Sequence, residues 1–260
     1  MKALKIIQEL ENMEQAGFSR REALTKSLHF GVKTALTLLP FGLLLKANKS
    51  YAFTGASAVD VLNFALKLEY LESEYYKQGL AAAGLIPASD NAIFSQISLH
   101  ESAHVTLLQG AITAAGGTPV AKPNFDFTAK GAYPDVFTNY ATFLTIANAF
   151  EDTGVRAYKG QAGNLLGTDA LTVALDIHSV EARHASAVRR LRGQKGWITG
   201  KSTMGVPAAV YGGTISEDNV MQGGVDVTTV TTSPAASVQE AFDEPLTMDE
   251  VLAIASPFFA

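Results

Sequence analysis

Four glutamates in this chain sit where apolar residues belong, and that displacement limits the folds open to it. The stretch ALDIHSVEARHASAVRRL, residues 174–191, sets Ala174, Ile177, Val188 and Leu191 on one stripe, and the same stripe runs through Glu181 and His184. Spacings of 3, 4, 3, 4 and 3 residues keep all six on a single face of a 3.6-residue helix. A second stripe repeats the arrangement with Ile93, Ile97, Glu101, His104, Leu108 and Ala111. Two more carry a glutamate alone: Val59, Leu62, Leu66, Glu69, Tyr76 and Leu80, then Leu144, Ala147, Glu151, Val155 and Tyr158. A buried ionised carboxylate without a partner is very costly. Helices that turn four of them inward must bring a counter-charge to the same place.

The periodicity predicts helices over about 58–79, 90–115, 135–159 and 168–192. Asp90 and Thr168 are candidate N-caps, and Gly116-Gly117 is a stop signal. The first and last pairs are separated by about ten residues containing Gly or Pro, which favours antiparallel neighbours. Between the second and third helices lie nineteen residues with three prolines, Gly116 to Pro134. The second helix is roughly 39 Å long at about 1.5 Å per residue, and nineteen extended residues reach at most ~63–68 Å. The linker can therefore run the length of a bundle, giving two antiparallel hairpins joined by a long crossover.

The hairpins are also an internal repeat. Each reads Glu, six residues, Tyr, a loop, then Glu-x-x-His: Glu69, Tyr76, Glu101 and His104 in one, Glu151, Tyr158, Glu181 and His184 in the other. Related by a pseudo-twofold, they would gather four carboxylates and two imidazoles at the bundle centre. That is an oxygen-rich, sulfur-free set suited to two divalent cations, whose +4 charge neutralises the four carboxylates. Neutral imidazole is the nitrogen ligand, so binding is expected to weaken below roughly pH 6. Tyr76 and Tyr158 share their glutamates' faces and are the candidate catalytic side chains, placed to hydrogen-bond across the pseudo-twofold to a ligand carboxylate. Their alternative is plain core packing. His178, one turn before Glu181, is either a group that orients a ligand or a core histidine, and His100 is equally open. Glu72 is a fallback ligand if the register is off by a turn, and otherwise solvated.

The segment after residue 192 is rich in Gly, Thr, Val and Ser and holds the chain's only tryptophan, Trp197. It is expected as an irregular extension, 193–260, packed on the bundle, with an oligomer contact as the functional alternative. Thr247 and Glu250 have capping-box spacing and open a last short helix, which Pro257 closes. With no cysteine there are neither disulfides nor thiolate metal sites. Residues 1–52 hold 8 basic and 4 acidic residues, leaving 12 and 21 for the remainder, a formal net charge of −9. An acidic body repels phosphate backbones, so nucleic acid is not an expected partner; metal cations match it better.

Residues 1–52 are expected to be an export signal. Arg20 and Arg21 precede an uncharged run, Thr34 to Leu45, and the small residues around Ser50 to Ala52 suit cleavage. The run is too short to span a bilayer, which needs about twenty apolar residues. It resembles a twin-arginine signal, which implies export of an already folded protein to the periplasm or beyond; a retained amphipathic helix or uncleaved anchor is the alternative.

Over about 58–192, within a bundle domain expected at 53–192, and on into the C-terminal helix, the chain resembles the ferritin-like superfamily of di-iron and di-manganese carboxylate proteins. VLNFALKLEYLESEYY, HESAHVTLL, EARHA and AFDEPLTMDEVLAIASPF look like its exported branch related to desiccation-associated stress proteins. The resemblance implies an all-α ferritin-like four-helix bundle with two iron ions, or manganese, on Glu69, Glu101, His104, Glu151, Glu181 and His184. The activity expected is oxidation of Fe(II) or reaction with O₂ or peroxide. The competing expectation is a stress-protective bundle that its metal only stabilises; an iron-storage shell and manganese-catalase chemistry are further options.

Overall fold

The computed structural model describes residues 55–260, so the expected export segment lies outside the described residues. Four long helices form the bundle: α1 Ala58–Ala81, α2 Asn91–Ala114, α3 Tyr140–Gln161 and α4 Ala170–Leu191. Two short ones follow, α5 Ala235–Gln239 and α6 Met248–Ala255, and the strands described are two-residue segments, Met221–Gln222 and Val225–Asp226. Helix α1 packs on α2 and α3 on α4, and the hairpins meet through α1–α3 and α2–α4. This is the all-α ferritin-like architecture with a C-terminal extension. Among the described residues no helix is long and apolar enough to cross a membrane.

The termini show why each helix starts where it does. Ser57 caps α1 in a reciprocal box: Asp60 N donates to Ser57 Oγ at 3.2 Å, and Ser57 N to Asp60 Oδ2 at 3.1 Å. Thr247 and Glu250 build the same box on α6, which ends at Ala255 before a 3₁₀ turn holding Pro257. The other expected caps differ. Asp90 occupies the cap position of α2, but its carboxylate accepts from Tyr140 Oη at 2.7 Å and Ser89 Oγ at 2.8 Å instead of from the helix. Thr168 donates to Leu165 O at 2.7 Å, closing a preceding 3₁₀ turn, so α4 begins at Ala170. Helix α3 begins at Tyr140, five residues later than expected, because Asn139 Oδ1 accepts from Ala141 N at 3.0 Å and fixes the start there.

The crossover does run the bundle's length. It leaves α2 beside Val59, near the start of α1, where a Cβ on Gly117 would stand only 2.5 Å from Val59 Cγ1. It then tracks α1, held by Asn63 to Thr118 O and Val120 N (3.1 and 2.7 Å) and by Lys122 to Glu74 (2.7 Å). It reaches α3 at the opposite end, where Phe94, Tyr140 and Phe143 pack together. There Tyr75, stacked on Phe143, centres an aromatic core with Tyr76, Phe127 and Phe150. The other end holds a second cluster with Leu62, Leu66, Leu108, Ile112 and Tyr158. The inward carboxylates lie between these two cores.

The extension is fastened by a buried cation. Arg156 on α3 is fully buried; its guanidinium donates to the carbonyls of Glu244 (2.7 Å), Gly212 (3.0 Å), Ile215 (2.8 Å) and Val210, and pairs with Glu217 at 2.7 Å. Beside it, Asp152 takes Arg189 Nε at 3.0 Å and Tyr211 Oη at 2.8 Å, tying α3, α4 and the extension together.

Candidate metal centre

Each helix delivers its stripe glutamate to the same point. Glu69, Glu101, Glu151 and Glu181 are all completely buried, and His104 and His184 nearly so. The six fall into two overlapping groups whose ligand atoms lie within 4.8 Å of one another: Glu69, Glu101, His104 and Glu181, then Glu101, Glu151, Glu181 and His184. His104 Nδ1 stands 3.2 Å from Glu69 Oε2, 3.2 Å from Glu101 Oε2 and 3.1 Å from Glu181 Oε1. His184 Nδ1 stands 2.8 Å from Glu101 Oε1, 3.4 Å from Glu151 Oε2 and 3.6 Å from Glu181 Oε2. Glu101 and Glu181 thus offer one oxygen to each imidazole, while Glu69 and Glu151 serve one each.

The donors outnumber their protein partners. Glu101 Oε1, Glu151 Oε2, both Glu181 oxygens and His184 Nδ1 are buried with no hydrogen-bond partner among the described residues. Five such atoms facing one another fit divalent cations, which bind several carboxylate oxygens and an imidazole nitrogen at once.

Left to protons alone, the cluster titrates far from ordinary values. Burial and neighbouring carboxylates push Glu101 and Glu72 well above the usual carboxylate range. Burial likewise lifts Glu151 to about 7, against the pull of His184. Burial opposes ionisation of Glu181 too, but the two imidazoles outweigh it and hold it at about 2. Burial disfavours the imidazolium of His104, yet Glu101, Glu181 and Glu69 push it up to about 12. His184 is raised in the same way, chiefly by Glu151. Proton and metal therefore compete for the same atoms.

The tyrosines sit as the repeat implies. Tyr76 Oη donates to Glu151 Oε1 and Tyr158 Oη to Glu69 Oε1, each linking α1 and α3. Each occupies one carboxylate oxygen and leaves the other facing an imidazole. Their hydroxyls bond carboxylates of the cluster. Of the two undecided histidines, His100 is the one in contact with the six: its Nδ1 lies 2.9 Å from His184 Nε2, and its Nε2 2.8 Å from the Gln96 side chain. An open groove of about 370 Å³, bordered by Ile93, Ile97 and Ala187, ends on His100 and His184. His178 makes no hydrogen bond to any of the six; burial and Lys159 hold its pKa down. Glu72 is buried, not solvated.

Comparison with curated proteins gives no match. Among protein families, the ferritin-like domain matches residues 57–194, which includes all four bundle helices and the six inward residues. The chain belongs to the ferritin-like domain family.

Proposed function

We propose that the protein holds two divalent metal ions, iron or manganese, at the bundle centre and uses them to oxidise Fe(II) or to react with O₂ or peroxide. The single observation that carries this is the set of five buried, unpartnered donor atoms on Glu101, Glu151, Glu181 and His184. Glu69 and His104 would hold one ion, Glu151 and His184 the other, and Glu101 and Glu181 would serve both. Bound there, iron or manganese supplies one-electron changes between the +2 and +3 states.

The chain's own residues prepare the place. Tyr76 and Tyr158 keep a proton on Oη and fix the glutamates on α3 and α1. His184 offers Nδ1, so it keeps its proton on Nε2, which donates to His100 Nδ1 and fixes the ring plane. The two apolar cores above and below exclude water, and the groove at His100 gives small molecules a route to His184.

The export part of this reading rests on sequence: Arg20-Arg21 ahead of the apolar run 34–45, and the likeness of VLNFALKLEYLESEYY and EARHA to the desiccation-associated branch. Residues 1–52 fused to a reporter should carry it out of the cytoplasm; retention would refute it. For the chemistry, the protein is loaded with Fe(II) without oxygen, exposed to O₂, and compared with Glu151→Ala. Oxidation by the wild type and its loss in the variant support the proposal. Ions that raise the melting temperature without any Fe(II) turnover would instead mark a protective bundle.

A further inference from the structure

Three residues beyond the four stripe glutamates the chain places Glu72, His104, Gly154 and His184. The repeat is kept in the second helix of each hairpin and broken in the first, where a carboxylate on α1 answers a glycine on α3. Glu72 is only 3% exposed and forms no ion pair among the described residues, although its oxygens are not among the fully enclosed orphaned atoms. Gly154 lies mid-helix with no positive φ, so its backbone does not call for glycine, and glycine there weakens the helix. Its absent side chain has another consequence. A Cβ at that position would stand 3.3 Å from Glu72 Oε1, 3.6 Å from Glu181 Cγ and 3.7 Å from Glu181 Oε2. The gap left by Gly154 is therefore the space that Glu72 and a shared ligand, Glu181, both border.

We propose that Glu72 is a fifth metal-binding carboxylate of the centre, admitted by the gap at Gly154, which makes the two ion positions unequal. A buried carboxylate with no ion pair beside four others is a liability in any purely structural role, whereas a divalent cation resolves it. This inference rests on the dinuclear reading above.

Co(II) titration of the purified protein, read by visible absorption and elemental count, tests both separately. Wild type and Glu74→Gln, a half-buried carboxylate on the same helix that pairs with Lys122, should each take up two Co(II) with the same spectrum. Glu72→Gln should weaken one of the two ions at least about tenfold and change the absorption. Gly154→Ala should do the same by displacing the carboxylate, and alanine is the better helix former. Unchanged affinity and spectra in both variants would overturn the fifth ligand and leave the dinuclear centre standing. Failure of the wild type to bind Co(II) would bring down the dinuclear reading itself, and this inference with it. In the metal-free protein Glu72→Gln removes one of several like charges, so its melting temperature should not fall; a large fall would assign Glu72 a structural role and overturn the proposal.

Discussion

Lowering the pH from about 8 to about 6 in the presence of a limiting divalent ion should unload the centre steeply. The magnitude follows from what the metal must displace. Near pH 7 the metal-free cluster holds a proton on His104, pushed to about 12, and one on His184, raised likewise. It holds about half of one on Glu151, lifted to about 7, and burial raises the Glu101 carboxyl as well. From His104, His184 and Glu151 alone, filling both positions releases between two and three protons. Each released proton makes binding about tenfold weaker per unit fall in pH, about 1.4 kcal/mol. The loss sets in well above the pH of roughly 6 expected of ordinary histidines, because the carboxylates stabilise the imidazolium that the metal must deprotonate. Calorimetric titration with Mn(II) in buffers of different ionisation enthalpy counts the protons directly. Release of fewer than about one proton per pair, or an affinity unchanged between these pH values, would refute the reasoning.

The same shifts set how the metal-free fold responds to pH. For Glu101 and Glu151 the folded values lie above the unfolded ones, so stability falls as pH rises from about 4.5, and for Glu151 the loss is complete near 7. For His104 stability is fully present below about 6.5 and drains as pH rises toward about 12. The melting temperature of chelator-treated protein should therefore fall between pH 5 and 8, and bound metal should flatten that fall; a rise in the metal-free protein would contradict it. Tyr76→Phe and Tyr158→Phe should each lower metal affinity about tenfold while keeping two ions, measured against a competing chelator. Arg156→Met should cost about 3–5 kcal/mol in urea unfolding, since it strands the buried Glu217 and four carbonyls. Adding Glu217→Leu should recover much of that loss.

The centre was legible because burying a carboxylate is costly enough that a glutamate on an apolar stripe stands out, and four such stripes in a repeated order point to one place. Glu69, Glu101, Glu151 and Glu181 are the four fully buried residues that order predicts. The limits of the helices were less legible where polar side chains had tertiary uses. Asp90 and Thr168 have the right chemistry for caps, but one serves Tyr140 and the other an adjacent turn. Helix α3, expected from about 135, starts only at Tyr140, where the Asn139 side chain caps it. His178 and His100 could not be told apart by spacing, since the choice depends on how α2 lies against α4. Asp152, Arg156 and Arg189 are of types that usually face solvent, yet the extension buries all three. The one available sign was the length of α3 that holds few charges, from Ala141 to Phe150, which suits a helix covered on every side.

The central claim is most directly tested by elemental analysis of protein loaded with Fe(II) or Mn(II) and freed of excess ion, beside the double variant Glu101→Ala/Glu181→Ala. The two shared carboxylates reach both imidazoles, so the prediction is about two ions per wild-type chain and fewer than about one in the variant. A wild type that retains none, or a double variant that still retains two, would contradict a dinuclear centre at this place.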